Sequence, residues 1–338
     1  MSSNLSDFYK GKDILVTGGC GSIGSEIVKQ LLDYDVKRIR VFDHNESGQF
    51  HLQERLQNDK LRTLIGNIRD KERLKWAMKD VDIVFHAAAL KHVPICEYNP
   101  FEAVATNVYG TQNVIDVARE EGVEKVMLIS TDKAVNPINT MGATKLLCEK
   151  LILNAPIGDI KTAFSCVRFG NVLNSDGSVI PIFKEQIKNG GPVTITSADM
   201  VRFFMSMQEA INLVLKATEK MMGREIFILK MQALRVIDLA EVMIEELAPK
   251  HGYQPEKIKI KVIGVRPGEK LRESLLTEEE ALYAEDSDGM LVLRPGVITP
   301  HYVIKSSVTR PVDSKKYDGK EVDLLSKDEI RKIISSVL

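Results

Sequence analysis

From Asp13 to Arg168, short runs rich in β-branched residues alternate with longer stretches of helical periodicity, and this alternation narrows the possible folds more than any other feature. Strands are expected at Asp13 to Thr17, Arg38 to Asp43, Arg62 to Ile65, Ile83 to Ala87, Lys125 to Ser130 and Thr162 to Arg168. Helices are expected at Ser22 to Leu32, Ser47 to Gln57, Lys71 to Met78, Glu102 to Glu121 and Met141 to Asn154. Strands joined by crossover helices form a parallel sheet covered on both faces, so the expected class is α/β with a doubly wound sheet. At 338 residues the chain is about twice an average domain, which leaves room for an appended region. After Arg168 the rhythm changes. Gly170 to Gly191 reads as loop-rich, Gln208 to Thr218 and Val236 to Leu247 as helices, and Glu225 to Lys230 as a strand. From about Asp286 the tail mixes short strands with Pro295, Pro300 and Pro311, then ends in a polar helix from Ser326. The expected division is residues 1–170 and 203–230 in a nucleotide-binding domain, with 171–202 and 231–338 in a smaller interleaved substrate-binding domain.

Charge and cysteine usage exclude several functions. With 46 basic against 47 acidic side chains, the net charge of -1 offers no basic surplus for nucleic acid or an anionic membrane surface. Cys20, Cys96, Cys148 and Cys166 form no CxxC and read as reduced thiols, indicating neither disulfide nor metal. No apolar run approaches the ~20 residues that cross a bilayer, and the opening MSSNLSDFYKGKD lacks the apolar segment of a signal peptide. A cytoplasmic protein without a membrane span is expected.

The first strand runs into Thr17-Gly18-Gly19-Cys20-Gly21-Ser22-Ile23-Gly24 and then a helix. Glycines at Gly18, Gly21 and Gly24 let the backbone approach a pyrophosphate, and the helix start at Ser22 and Ile23 offers it free N–H groups. Asp43 follows Gly24 by nineteen residues at the end of the second strand, where a carboxylate bonds both ribose hydroxyls. The combination points to a dinucleotide. A carboxylate repels a 2'-phosphate and no arginine immediately follows it, so NAD is favoured over NADP. Arg38 and Arg40 precede Asp43, and strand alternation aims them away from or beside that ribose. Asn67 and Ile68 after the third strand are expected along the adenine. Ala87, Ala88 and Ala89 after the fourth suit either a closely approaching cofactor or plain helix–sheet packing.

Polar residues end the fifth strand as Ser130-Thr131-Asp132-Lys133, and Met141-Gly142-Ala143-Thr144-Lys145 opens the next helix. Groups at the carboxyl end of a central strand face the crevice where such sheets bind ligands. Here the chain resembles the extended short-chain dehydrogenase/reductases of Rossmann fold, and within them the UDP-N-acetylglucosamine 4,6-dehydratases. The resemblance runs to about residue 280 and rests on TGGCGSIG, HAAALKHVP, EYNPFEAVATNVYGT, STDKAVNPINTMGATK, RFGNVLNSDGSVIP, DMVRFFMS and RPGEKLRE. It implies a tightly bound, recycled NAD. Hydrogen leaves carbon 4 as hydride, water is lost across carbons 5 and 6, and hydride returns to carbon 6, with or without inversion at carbon 5.

By the same resemblance Lys133 is the base at carbon 5, Asp132 the acid for the departing 6-hydroxyl, Lys145 a partner of the nicotinamide ribose, and Asn107 a cofactor contact. The wider superfamily places a tyrosine four residues before the lysine to take the proton from the 4-hydroxyl; this chain has Met141. A thioether is no useful base, which leaves Thr131, relaying through water, as the candidate. Met141 by itself reads as packing. Adjacent opposite charges on Asp132 and Lys133 favour the ion pair over the acid and amine that the roles require, so the two must titrate together.

For the sugar nucleotide, the resemblance implies Arg266 and Arg202 at the diphosphate, Glu269 at the uridine ribose, Asn171 near phosphate or sugar, Val179 in the loop Gly177 to Pro181 over the base, and Lys91 at cofactor or sugar. His86 and His92 read as structural rather than as metal ligands or acid–base groups. The implied form is the soluble one, self-associating into at least a dimer. Rival readings are a UDP-N-acetylhexosamine 4-epimerase, which has no elimination for Asp132-Lys133 to catalyse, and a non-catalytic NAD-binding protein.

Overall fold

Strands buried on both faces organise the largest core among the described residues. The computed structural model describes residues 5–155, 161–175, 177–294 and 312–335. Six strands, β1 Asp13–Thr17, β2 Arg38–Asp43, β3 Leu61–Ile65, β4 Ile83–His86, β5 Lys125–Ile129 and β6 Ala163–Arg168, lie within a residue of their expected bounds. They are followed by β7 Asn171–Val172, β8 Val193–Ile195, β9 Val201–Met205, β10 Ile226–Leu229, β11 Gln232–Arg235, β12 Ile260–Val262, β13 Ala284–Ser287 and β14 Met290–Leu293. Nine of these form one sheet in the order β3-β2-β1-β4-β5-β6-β10-β14-β13. Its first seven positions are parallel, whereas β14 and β13 add an antiparallel edge. Every residue of β1, β4 and β10 is buried, as expected where helices cover both faces of a parallel sheet. This is the doubly wound Rossmann sheet. Because β1 pairs with β2 on one side and β4 on the other, the strand order reverses there and opens a crevice at the carboxyl ends.

A second core gathers Leu173, Ile180, Phe183, Phe204, Leu234 and Met243 with Ile330 from the last helix. Around it lie the small sheets β11-β9-β7 and β12-β8. The stretch Gly170 to Gly191 is not loop throughout. A helix spans Val179–Lys188 and buries Ile180, Phe183 and Ile187 on one face. Pro181 obscured it, yet proline is tolerated in a first turn, where its missing N–H has no intrahelical partner.

The expected helix Glu102 to Glu121 is also more elaborate. It comprises Pro100–Ala103, a wider π turn over Val104–Tyr109, and Gly110–Glu121. The tail's short strands are β13 and β14, its last helix is Lys327–Ile334 with a Ser326–Glu329 capping box, and Pro295, Pro300 and Pro311 lie outside the described residues.

Candidate active site

The crevice is a cleft of about 980 Å³ over the ends of β1, β4 and β5. Gly18 to Gly24 form one wall, and their spacing has a steric cause. Gly18 sits at φ +67°, and a Cβ there would lie 2.6 Å from the Ala88 backbone; a Cβ on Gly24 would lie 2.2 Å from the Gly18 carbonyl oxygen. The turn is thus closed tightly enough that only hydrogen fits, which leaves bare backbone at the start of the helix Ser22–Leu31. Gly21, Ser22 and Ile23 line the cleft, as do Asn67, Ile68 and the three alanines Ala87, Ala88 and Ala89.

Asp43 also lines it; one carboxylate oxygen accepts from the Cys20 amide and the other from the Asn45 amide, both at 3.0 Å. Neither Arg38 nor Arg40 attends this carboxylate. Arg40 is buried, pairs with Asp13 at 3.0 Å and donates to the Ala77 and Lys79 carbonyls; Arg38 lies 3.6 Å from the same Asp13. Cys20 is no nucleophile, because burial and then the Asp43 charge push its thiol up to about 12. A glycine cradle, an acidic residue at the second strand end and a cleft of this size fit a dinucleotide.

Asn107, expected as a cofactor contact, is placed behind the cleft wall. It is buried on the π turn and does not line the cleft. Its amide holds both backbone groups of Leu90, at 2.8 and 3.1 Å, and donates to Thr144 Oγ1 at 2.9 Å. The wider turn therefore fixes the loop after β4. His86 is structural: Nδ1 lies 2.8 Å from Thr17 Oγ1 and Nε2 3.0 Å from Thr111 Oγ1. Burial, with Lys145 nearby, lowers its pKa to about 3 and keeps the ring neutral. His92 lines the cleft, its ring against Gly177. No group of side chains suited to a metal occurs among the described residues.

At the end of β5, Thr131, Lys133, Met141 and Lys145 all line the cleft. Lys145 Nζ donates to the Ile129 carbonyl at 2.5 Å, and burial lowers its pKa. Met141 packs with Cys96 and Ala103, so its side chain serves as core. Asp132 does not line the cleft and is fully buried. Its Oδ1 accepts from Thr131 Oγ1 at 2.8 Å and from Lys133 Nζ at 3.0 Å, while Oδ2 has no hydrogen-bond partner.

Behind Lys133 stands Glu273, buried, with Oε1 3.8 Å from Nζ. It was missed as a site residue, although it closes the motif RPGEKLRE.

The substrate residues divide. Lys91 and Asn171 line the cleft, and Asn171 Oδ1 is a buried acceptor without a partner. Val179, Arg202, Arg266 and Glu269 do not line it. Val179 begins a helix rather than sitting in a loop. Arg202 is buried and donates to the carbonyls of Val201, Lys270 and Leu271, 3.7 Å from Glu269. Arg266 is exposed, its amide donating to Glu269. Their turn is nonetheless tethered to the site, since Asn139, which caps the helix Thr140–Asn154, donates to the Gly268 carbonyl at 2.7 Å. A cleft residue not singled out from sequence is Arg69, ion-paired to Glu102 at 2.6 Å; its place directly after Asn67 and Ile68 was the available signal.

A family model described as polysaccharide biosynthesis protein matches residues 14–295. An uncharacterized membrane protein of Methanocaldococcus jannaschii is 57% identical over 100% of this chain and 99% of its own. No helix among the described residues is long and apolar enough to cross a membrane. A UDP-N-acetylglucosamine 4,6-dehydratase (inverting) of Campylobacter jejuni is 41% identical over 86% of this chain and 84% of its own. A UDP-glucose 4-epimerase of Rickettsia bellii is 43% identical over 82% and 81%. The crystal structure of Pen from Bacillus thuringiensis superposes with a TM-score of 0.89 at 43% identity, covering 97% of this chain and 98% of that one.

Proposed function

The chain belongs to the family of polysaccharide biosynthesis proteins, and from that premise we propose that it is an NAD-dependent 4,6-dehydratase acting on UDP-N-acetylglucosamine as a homo-oligomer. The observation that carries the reading is the lysine–carboxylate pair at the end of β5, with Lys133 in the cleft and Asp132 against it. Loss of water across carbons 5 and 6 needs a base for the first and a proton donor for the oxygen on the second. Simple epimerisation at carbon 4 needs neither. The epimerase name of a 43% identical relative supports that alternative, and the same pair argues against it.

NAD would lie along Gly18 to Gly24 with its adenosine ribose on Asp43 and its nicotinamide ribose near Lys145, and when bound it accepts hydride from carbon 4 and returns one to carbon 6. Lys145 supplies positive charge at the nicotinamide end. Lys133, with its Nζ at the cleft wall, moves the proton at carbon 5. Asn171 offers its unpartnered oxygen to a hydroxyl of the sugar. Arg266 and Arg202 at the diphosphate, Glu269 at the uridine ribose and Val179 over the base complete the reading, and the first three require that the turn around Gly268 bear on the bound nucleotide.

Proton NMR of the purified protein with UDP-N-acetylglucosamine in heavy water, without added cofactor, tests it. A new 6-methyl signal with deuterium at carbon 5 is expected, and the ring couplings give retention or inversion there. Growth of the galacto isomer alone would replace this reading with the epimerase.

A further inference from the structure

Resting on the reading of an NAD enzyme, we propose that Arg69 is a clasp over the adenine end of the cleft, held in place by Glu102 and Thr106, which slows escape of the cofactor between turnovers. Arg69 sits on the turn that follows β3, and its backbone is fixed from two sides. Its amide donates to Asn67 Oδ1 at 3.0 Å, and Asn113, on the helix Gly110–Glu121, donates to the carbonyls of Ile68 and Arg69 at 3.0 and 3.2 Å. The side chain then crosses from the β3 turn to the helical segments after β4. Nη2 meets Glu102 Oε2 at 2.6 Å and the Glu102 carbonyl at 3.1 Å. Nε and Nη2 both donate to Thr106 Oγ1, the former at 3.0 Å. All three residues line the cleft beside Asn67 and Ile68. That end is four strand spacings, about 19 Å along the sheet, from β5.

Packing does not account for this placement. The helices Lys71–Met78 and Gly110–Glu121 are already joined by ion pairs of Lys71 and Lys75 with Glu120, at 2.9 and 3.0 Å, and none of those residues lines the cleft. Arg69 and Glu102 are 35% and 53% exposed, and an ion pair so open to water contributes little to stability. What the pair does fix is the guanidinium plane, because Nε and Nη2 are both engaged. Such a plane suits the face of an aromatic base. The proposed chemistry makes retention matter. A cofactor that takes hydride from carbon 4 and returns it to carbon 6 ends each turnover oxidised, so its release has no role in the cycle. Escape of the reduced form midway would strand a sugar oxidised at carbon 4, with no hydride left to return. Residence time is governed by dissociation. An ion pair that opens readily in water admits the cofactor once and, closed over it, delays its exit.

The test follows exchange of bound NAD for radiolabelled NAD in the purified holoenzyme. Arg69→Ala is expected to exchange at least about tenfold faster than wild type. Arg69→Lys should be nearly as fast, because an ammonium keeps the charge and loses the plane. Glu102→Gln alone should speed exchange, and beside Arg69→Ala it should add nothing further, since it acts through the arginine. Turnover by Arg69→Ala without added NAD is expected to slow as sites empty, and to recover when NAD is supplied. Lys75→Ala removes an ion pair of the same kind outside the cleft and should exchange at the wild-type rate. Melting temperatures of the cofactor-free variants near wild type establish that they are folded. A wild-type exchange rate in Arg69→Ala, or equally fast exchange in Lys75→Ala, would overturn the clasp while leaving an NAD enzyme in place. Protein that carries no NAD and takes up none in a calorimetric titration would overturn both.

Discussion

His86 shows how a titratable side chain becomes structure. Its pKa falls from an ordinary 6.5 to about 3, because burial disfavours the imidazolium and Lys145 repels it. Between those values the unfolded chain binds a proton that the folded chain refuses, so stability is present above about 6.5 and lost as pH falls towards about 3, by at most about 1.4 kcal/mol per unit. His86→Gln is expected to flatten the fall in melting temperature across that window. Glu273 gives a kinetic prediction. It touches Lys133 from behind and does not line the cleft, so Glu273→Gln should lower kcat roughly ten- to hundredfold and leave KM for the nucleotide sugar near wild type. Steady-state kinetics separates the two constants. At this scale the sequence was informative about residue type at strand ends and silent about direction. Thr131, Lys133 and Lys145 line the cleft because they follow or face β5. Arg202 and Asn107 turn inward to backbone carbonyls and amides, and nothing in their local pattern distinguishes an arginine aimed at a ligand from one aimed at Lys270 and Leu271.

Among elements, the turn between β1 and the helix Ser22–Leu31 is the least tolerant. Gly24→Ala forces a Cβ onto the Gly18 carbonyl at 2.2 Å, a backbone clash no rotamer relieves, and should cost about 1–3 kcal/mol and at least tenfold in NAD affinity. Chemical denaturation and calorimetric titration measure these separately; a variant with wild-type affinity would show that the cradle does not hold the cofactor. Parallel strands were legible because burial on both faces imposes continuous apolar runs, and their bounds fell within a residue. The helix Val179–Lys188 was not, because Pro181 and its flanking glycines speak for loop, whereas the period of Ile180, Phe183 and Ile187 becomes meaningful only beside a second core. The π turn Val104–Tyr109 was invisible for a similar reason: it is set by what Asn107 must reach.

The whole molecule is held across its length by a buried ion cluster. Arg168 pairs with Glu149 at 2.7 Å and Glu280 at 2.9 Å and donates to the Leu275 carbonyl, while Ser130 donates to Glu149. Arg168→Ala leaves buried carboxylates without a cation and should destabilise the fold by about 3–5 kcal/mol, read from denaturant unfolding. Self-association is the other prediction at this scale. Tyr98, Phe101 and Tyr109 lie 88%, 72% and 61% exposed on successive helical segments, and light scattering should give at least a dimer; a monomer at every concentration would reject it. The Arg168 cluster also bears on the order in which the chain emerges during synthesis. When β6 is complete, Arg168 has Glu149 beside it but must wait 112 residues for Glu280. The neighbouring strand β10 is complete only at Leu229, and β14, which pairs with β10, comes after Glu280. The six-stranded first half, which contains the whole glycine cradle, therefore leaves the ribosome with an unfinished edge and a half-matched charge that the C-terminal third later completes.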